Sequence, residues 1–188
     1  MSILKNKILL FYSLFLLPAC LLISSCRPNK NITKTESHSE KETSPSKKVE
    51  KKYAELLSVS EADISNTRLY SFIDDWYGVP YKYGGKNRNG IDCSNFTSTL
   101  YKSIYNKTLS GSSSSIFNQC KVVSRKDLKE GDLVFFKIEK NEISHIGVYL
   151  QNNKFVHATT KKGVMIDDLD EAYYKKYFYK AGRPVTSN

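Results

Sequence analysis

Cysteine and histidine are scarce in this chain. Its 188 residues contain four cysteines, three histidines and a single tryptophan. The cysteines, Cys20, Cys26, Cys93 and Cys120, form no CxxC pair and no zinc-ligand spacing. No metal and no cofactor is therefore expected. Basic clusters are lacking as well. The formal net charge is +10, but much of the excess precedes residue 53. The remainder holds no Lys/Arg cluster of the kind that grips a phosphate backbone, so nucleic acid is not an expected partner. Attraction to an anionic polymer or membrane surface stays open. There is no internal repeat, and the length suits one domain with appendages, expected to be a monomer.

What is present begins with residues 1–25, which read as a bacterial export signal. Lys5 and Lys7 precede a long apolar run over residues 8–23, and small residues follow. The run is almost long enough to span a membrane, which is the competing reading. Ile23-Ser24-Ser25-Cys26 resembles a lipobox, the site where bacterial lipoproteins are cleaved and acylated on Cys. Leu17-Pro18-Ala19-Cys20 is a weaker candidate, because Pro18 is poor before a cleavage site and apolar residues 21–23 would follow it. Acylation at Cys26 would anchor the chain by its lipid, and stable attachment takes more than one acyl chain. The expected location is the cell envelope, on the outer membrane and facing the periplasm. Residues 26–52 then carry the lipid and a tether of Lys, Ser, Thr, Asn and Glu, too polar to order itself. His38 lies there and is assigned no role.

The domain is expected over residues 53–188. A short helix covers residues 53–57. Leu69, Phe72, Ile73 and Trp76 follow the stripe of a core-facing helix over Thr67–Trp76, stopped by Gly78 and Pro80. Trp76 reads as a core anchor. A further helix runs from Asp92 to about Tyr105. Residues 108–115 (TLSGSSSS) read as a flexible break, and residues 116–120 as a short helix. Strands are expected at 133–136, 144–150, 154–159 and 163–167. Residues 170–179 form a Tyr-rich helix or turn, and 181–185 an edge strand, given Pro184. Helices first and antiparallel strands after make the class α+β.

The chemistry centres on PYKYGGKNRNGIDCSNF, residues 80–96. Asp92 is a favoured N-cap, which puts Cys93 in the first helical turn. Unpaired N–H groups and the helix dipole there favour a thiolate and are expected to lower the thiol pKa. A bond between Cys93 and Cys120 would consume this thiol, so none is expected, and Cys120 is assigned to packing. The domain has two histidines, His145 and His157, in consecutive strands. His145 shares a face with Gly147 and Tyr149, opposite Ile146, Val148 and Leu150. A two-residue turn at Asn152-Asn153 would put the histidines on opposite faces. A three-residue loop over 151–153 would pair Gly147 with His157 and make the histidines diagonal neighbours. The odd loop is expected. Cys93, His145 and His157 then suit nucleophile, base and orienting group.

These residues, with LKEGDLVFF and SHIGVYLQNNKFVHAT, closely resemble the NlpC/P60 cysteine peptidases. The resemblance runs from about Thr67 to Val185. It implies a papain-like fold and hydrolysis of peptidoglycan stem peptides, at the bond from D-γ-glutamyl to a diamino acid such as meso-diaminopimelate. The nucleophile falls on Cys93, the base on His145 and the orienting residue on His157. The active-site tyrosine falls on Tyr81, whose phenol could donate to the oxyanion. One departure is Asn95, where the family has Gly after Cys-Ser. An Asn side chain aimed at the cleft would narrow it. Residues 110–115 also lack the basic residue expected in close relatives, for which Lys82, Lys86 or Arg88 could compensate, although solvated surface charge is the plainer role for each. An amidase or acyl transferase on the same fold, or a wall-binding scaffold without activity, are the competing functions.

Overall fold

The tether ends earlier than its composition implies. The computed structural model describes residues 44–139 and 141–185, so the expected export signal, Cys26 and most of the expected tether lie outside the described residues. Within it, helix α1 spans Pro45–Leu57 rather than residues 53–57. Pro45 stands in the first turn, where its missing N–H costs nothing. Val49, Tyr53 and Leu57 recur every four residues and form the inward stripe, with Ala54 beside it. Four lysines on the outer side hide that stripe in any reading by composition. The domain therefore starts near residue 45, and cutting at residue 53 would divide a packed helix.

Helix α2 (Thr67–Trp76) lies against α1, with the Tyr53 and Tyr70 rings 5.1 Å apart. Asn66 caps it by accepting from the Leu69 N–H at 3.2 Å. Leu69, Ile73 and Trp76 are buried as their spacing predicts. After α2 the backbone is pinned to a distant strand, since Gly78 N–H donates to the Val164 carbonyl and Val164 N–H to that of Val79. A small hairpin follows, β1 (Lys86–Asn87) and β2 (Gly90–Ile91), in a segment the sequence reads only as loop. Then comes helix α3 (Cys93–Tyr105).

Residues 108–115 are not a flexible break. Leu109 and Ser113 are buried, and Ser112 caps a short helix α4 (Ser113–Phe117) by accepting from the Ser115 N–H. Cys120 is not helical but opens strand β3 (Cys120–Val123). The other strands are β4 (Leu133–Phe136), β5 (His145–Tyr149), β6 (Lys154–Thr159), β7 (Gly163–Asp168) and, after helix α5 (Ala172–Tyr177), β8 (Phe178–Pro184). The six-stranded sheet runs β3-β8-β4-β5-β6-β7, and its pairs are antiparallel. β8 is thus interior, between β3 and β4, where an edge was expected. Pro184 is tolerated because it is the last residue of the strand, opposite Cys120.

The architecture is α+β. One face of the sheet carries Phe135, Ile146, Val148 and Val156 into a core shared with Phe96 and Leu100 of α3. The other carries Val134, Phe136 and Phe155 against Leu169 and Tyr174. Cys93 opens the helix that packs on the first face, and His145 and His157 alternate onto the second, with Phe155. Leu57 is completely buried, so Leu57→Ala is expected to cost about 2–5 kcal/mol. That corresponds to a lower melting temperature by roughly 2–4 °C per kcal/mol in a domain of this size. An unchanged melting temperature would show that α1 is not part of the folded unit.

Candidate active site

Cys93 is held by its neighbour. The Asp92 carboxylate accepts from Asn95 N–H at 2.7 Å and Ser94 Oγ at 2.9 Å on one oxygen. On the other it accepts from Asn95 Nδ2 at 2.9 Å and Gly84 N–H at 3.0 Å. Two donors belong to the backbone of α3 and of the preceding loop, so one buried carboxylate ties the two together. Asn95 therefore points back onto Asp92 and does not narrow the cleft. The loop itself is tight: a Cβ on Gly85 would lie 2.3 Å from the Gly90 carbonyl oxygen. It delivers Tyr81 beside the thiol, with its backbone bridged to Ile91. Burial, then the nearby Cys93 and Asp92, push the Tyr81 phenol up to about 12, so it stays an O–H donor at neutral pH.

The histidines stand as the odd loop requires. Val148 pairs with Val156 and Tyr149 with Phe155, and Leu150 N–H donates to the Lys154 carbonyl, which leaves residues 151–153 as the loop. Asn152 and Asn153 both adopt the left-handed conformation this turn needs. His145 Nε2 and His157 Nδ1 are 2.6 Å apart. His157 is fully buried, with Phe155 and Tyr174 around its ring. Its Nε2 lies 2.9 Å from Asp167 Oδ2, which also accepts from Tyr174 OH at 2.6 Å. Tyr81, His145 and His157 line one cavity of about 470 Å³, with Thr159, Lys161 and Tyr173 farther along its wall.

Three features lie outside the expectations. The thiol's side-chain partner is Ser113 Oγ at 3.7 Å, from the segment read as a flexible break. A Ser-rich run signals a loop, and only the Ser112–Ser115 cap spacing hints at a helix start. Asp167 and Tyr174 join the histidines, although neither stands out in the sequence. Parity of the second turn would have found Asp167: Thr159 pairs with Gly163 across another three-residue loop. The thiol pKa is also not lowered. Burial pushes it up and the Asp92 charge adds to this, against Ser113 and the N–H groups of Ile146 and Ser94. Burial and the neighbouring His157 hold His145 well below the usual imidazole value, with Asp167 opposing. Both shifts favour the neutral form, of the thiol and of the imidazole.

Lys82, Lys86 and Arg88 are exposed, and Arg88 lies 4.6 Å over the Trp76 ring. Cys120 keeps a free thiol, pushed up to about 12 by burial.

A cysteine at the start of a helix and an imidazole pair on an antiparallel sheet belong together in a papain-like α+β domain. The chain belongs to the NlpC/P60 family, whose model matches residues 78–183. It is 34% identical to the murein DD-endopeptidase MepS/murein LD-carboxypeptidase of Escherichia coli K12, over 97% of this chain and 98% of that one. It is 37% identical to a probable endopeptidase NlpC homolog of Haemophilus influenzae, over 66% of each chain. Among solved structures, an NlpC/P60 family protein from Bacillus cereus aligns with a TM-score of 0.58 and 28% identity, over 63% of this chain and 39% of that one. The NlpC/p60 domain of the peptidoglycan hydrolase SagA shares the fold, with a TM-score of 0.54 and 21% identity over 64% of this chain and 99% of that domain.

Because the Cys93 pKa is raised above its ordinary 9.0, its alkylation by iodoacetamide should climb steadily through pH 9 with no plateau near neutrality. A plateau beginning in the acid range would mean a resting thiolate–imidazolium pair and would contradict this picture.

Proposed function

We propose that this protein is a cysteine endopeptidase of peptidoglycan stem peptides, with Cys93 as nucleophile, His145 as base and His157 as its orienting partner. The observation that carries the reading is the 2.6 Å contact between His145 and His157, in a domain whose helix α3 begins with a free thiol that accepts from the Ile146 N–H next to His145. Cys93 Sγ attacks the scissile carbonyl carbon while His145 takes the thiol proton. The oxyanion accepts from the Tyr81 phenol and from N–H groups at the α3 start, donors already in place before charge develops. His145 returns the proton to the leaving amine, and a thioester remains. Water, deprotonated at His145, then attacks the thioester, releasing a carboxylate and restoring the thiol.

Two bonds are candidate substrates. A relative matching along almost the whole chain is named a DD-endopeptidase, a name for cleavage between two D-configured residues. That favours the D-alanyl–diamino acid cross-link. The family resemblance favours the D-γ-glutamyl bond to meso-diaminopimelate within one stem. Lipidation at Cys26, followed by a tether over residues 27–43, would hold the domain within reach of the wall from the outer membrane. The chain should then take up labelled palmitate in growing cells, and Cys26→Ala should abolish the label.

The deciding experiment is digestion of purified peptidoglycan by the 188-residue protein beside Cys93→Ala, with products read by mass spectrometry. Conversion of cross-linked muropeptides to monomers, only by the unsubstituted protein, supports the cross-link. Fragments ending in γ-glutamate support the second bond. Whole stems freed from sugar would make it an amidase. Binding to the wall without cleavage by either form would leave a scaffold and refute the catalytic reading.

A further inference from the structure

We infer that Asp167, on β7, sets the direction of hydrogen bonding through both histidines and so decides which nitrogen of His145 can take the thiol proton. This deepens the catalytic reading above and rests on it for its effect on rate.

A neutral imidazole has one N–H and one bare nitrogen, and either can be the donor. His157 therefore cannot orient His145 unless something fixes His157 first. A carboxylate can do so, because when ionised it only accepts. Asp167 is that group. Its Oδ2 is 2.9 Å from His157 Nε2 and receives the Tyr174 hydroxyl at 2.6 Å. Burial alone would raise the Asp167 pKa, but the bonds from His157 and Tyr174 outweigh it, and the Lys162 charge helps. The carboxylate is therefore ionised at neutral pH. Tyr174 is pushed up by burial and by Asp167, so its phenol remains a donor.

The polarity then propagates. His157 must carry its hydrogen on Nε2, which leaves Nδ1 bare. His145 Nε2, 2.6 Å away, must donate to that nitrogen. Nδ1 of His145 is thereby left without a hydrogen and can accept one. With the chain reversed, His145 Nδ1 would carry a hydrogen and could not serve as base. The backbone enforces the arrangement. His157 pairs with Met165 and Phe155 with Asp167, so Asp167 is the diagonal neighbour of His157, as His157 is of His145. Three residues on three adjacent strands thus share one face and step two positions at each strand. Phe155 and Tyr174 pack around the His157 ring and bury it completely, which shields the central member of the chain.

Asp167 is a positioning residue, one histidine removed from the reacting atoms. Its loss should cost kcat about tenfold or more, less than the ~10⁴ seen where the lost carboxylate touches the base histidine itself. KM should change little. The test combines kinetics on peptidoglycan with long-range ¹H–¹⁵N spectra of the imidazoles in the 188-residue protein in detergent. In the unsubstituted protein both histidines are expected as Nε2–H tautomers. Asp167→Ala should scramble the His157 tautomer and lower kcat. Asp167→Asn, whose amide oxygen can still accept, should keep the tautomer and recover part of the rate. A His157 Nδ1–H tautomer in the unsubstituted protein overturns the inference whether or not any variant folds or any substrate is cleaved. An Asp167→Ala protein with unchanged tautomers and kcat overturns it equally.

Discussion

The Asp92 carboxylate is the interaction on which the site's geometry depends. It is almost fully buried, and each of its oxygens accepts two hydrogen bonds. That fills the accepting capacity of a carboxylate, which makes burial of the charge tolerable. Its donors come from the first turn of α3 and from the glycine loop. One group therefore does two things: it starts the helix at Cys93, and it fixes the loop that carries Tyr81. Backbone bonds between residues 80–85 and 91–92 hold the same loop, and the carboxylate adds the link from that loop to the first turn of α3.

The second constraint is parity. Two consecutive three-residue turns, at 151–153 and 160–162, keep His145, His157 and Asp167 on one face of the sheet. A change of one residue in either loop would send a member of the chain to the opposite face. The same geometry explains the electrostatics. The polar line crosses a face otherwise lined by Phe136, Phe155 and Tyr174. The His157 ring is buried among Phe155 and Tyr174, which favours its neutral form, whereas the donors of the doubly bonded Asp167 carboxylate hold its pKa down.

Much of the site was legible in advance because its signals are local. Asp before Cys at a helical stripe announces an N-cap, and alternation around His145 announces its face. The odd first turn was inferable because only one loop length lets two histidines meet. What escaped reading did so for physical reasons. The inward stripe of residues 45–57 is masked in the sequence by the four exposed lysines interspersed with it. Ser113 belongs to a run whose composition signals a loop, and the segment is held by the buried Leu109 and Ile116 and by Gln119, which donates to the Ser110 and Ser115 carbonyls. Asn95 looked like an intrusion into the cleft, whereas its amide has a nearer acceptor in Asp92.

The sequence by itself determined the α+β class, the helix that presents Cys93, the strands that carry His145 and His157, and the family. These follow from spacing within a few residues, where backbone periodicity dictates which side chains share a face. Only the tertiary structure decided that Ser113 meets the thiol and that β8 lies inside the sheet. It alone decided that Tyr174 shares the Asp167 carboxylate with His157, and that burial raises the thiol pKa against Ser113 and the nearby N–H groups. Each of these depends on segments distant in sequence being packed together with water excluded. Desolvation is a property of that packing, not of any stretch of the chain.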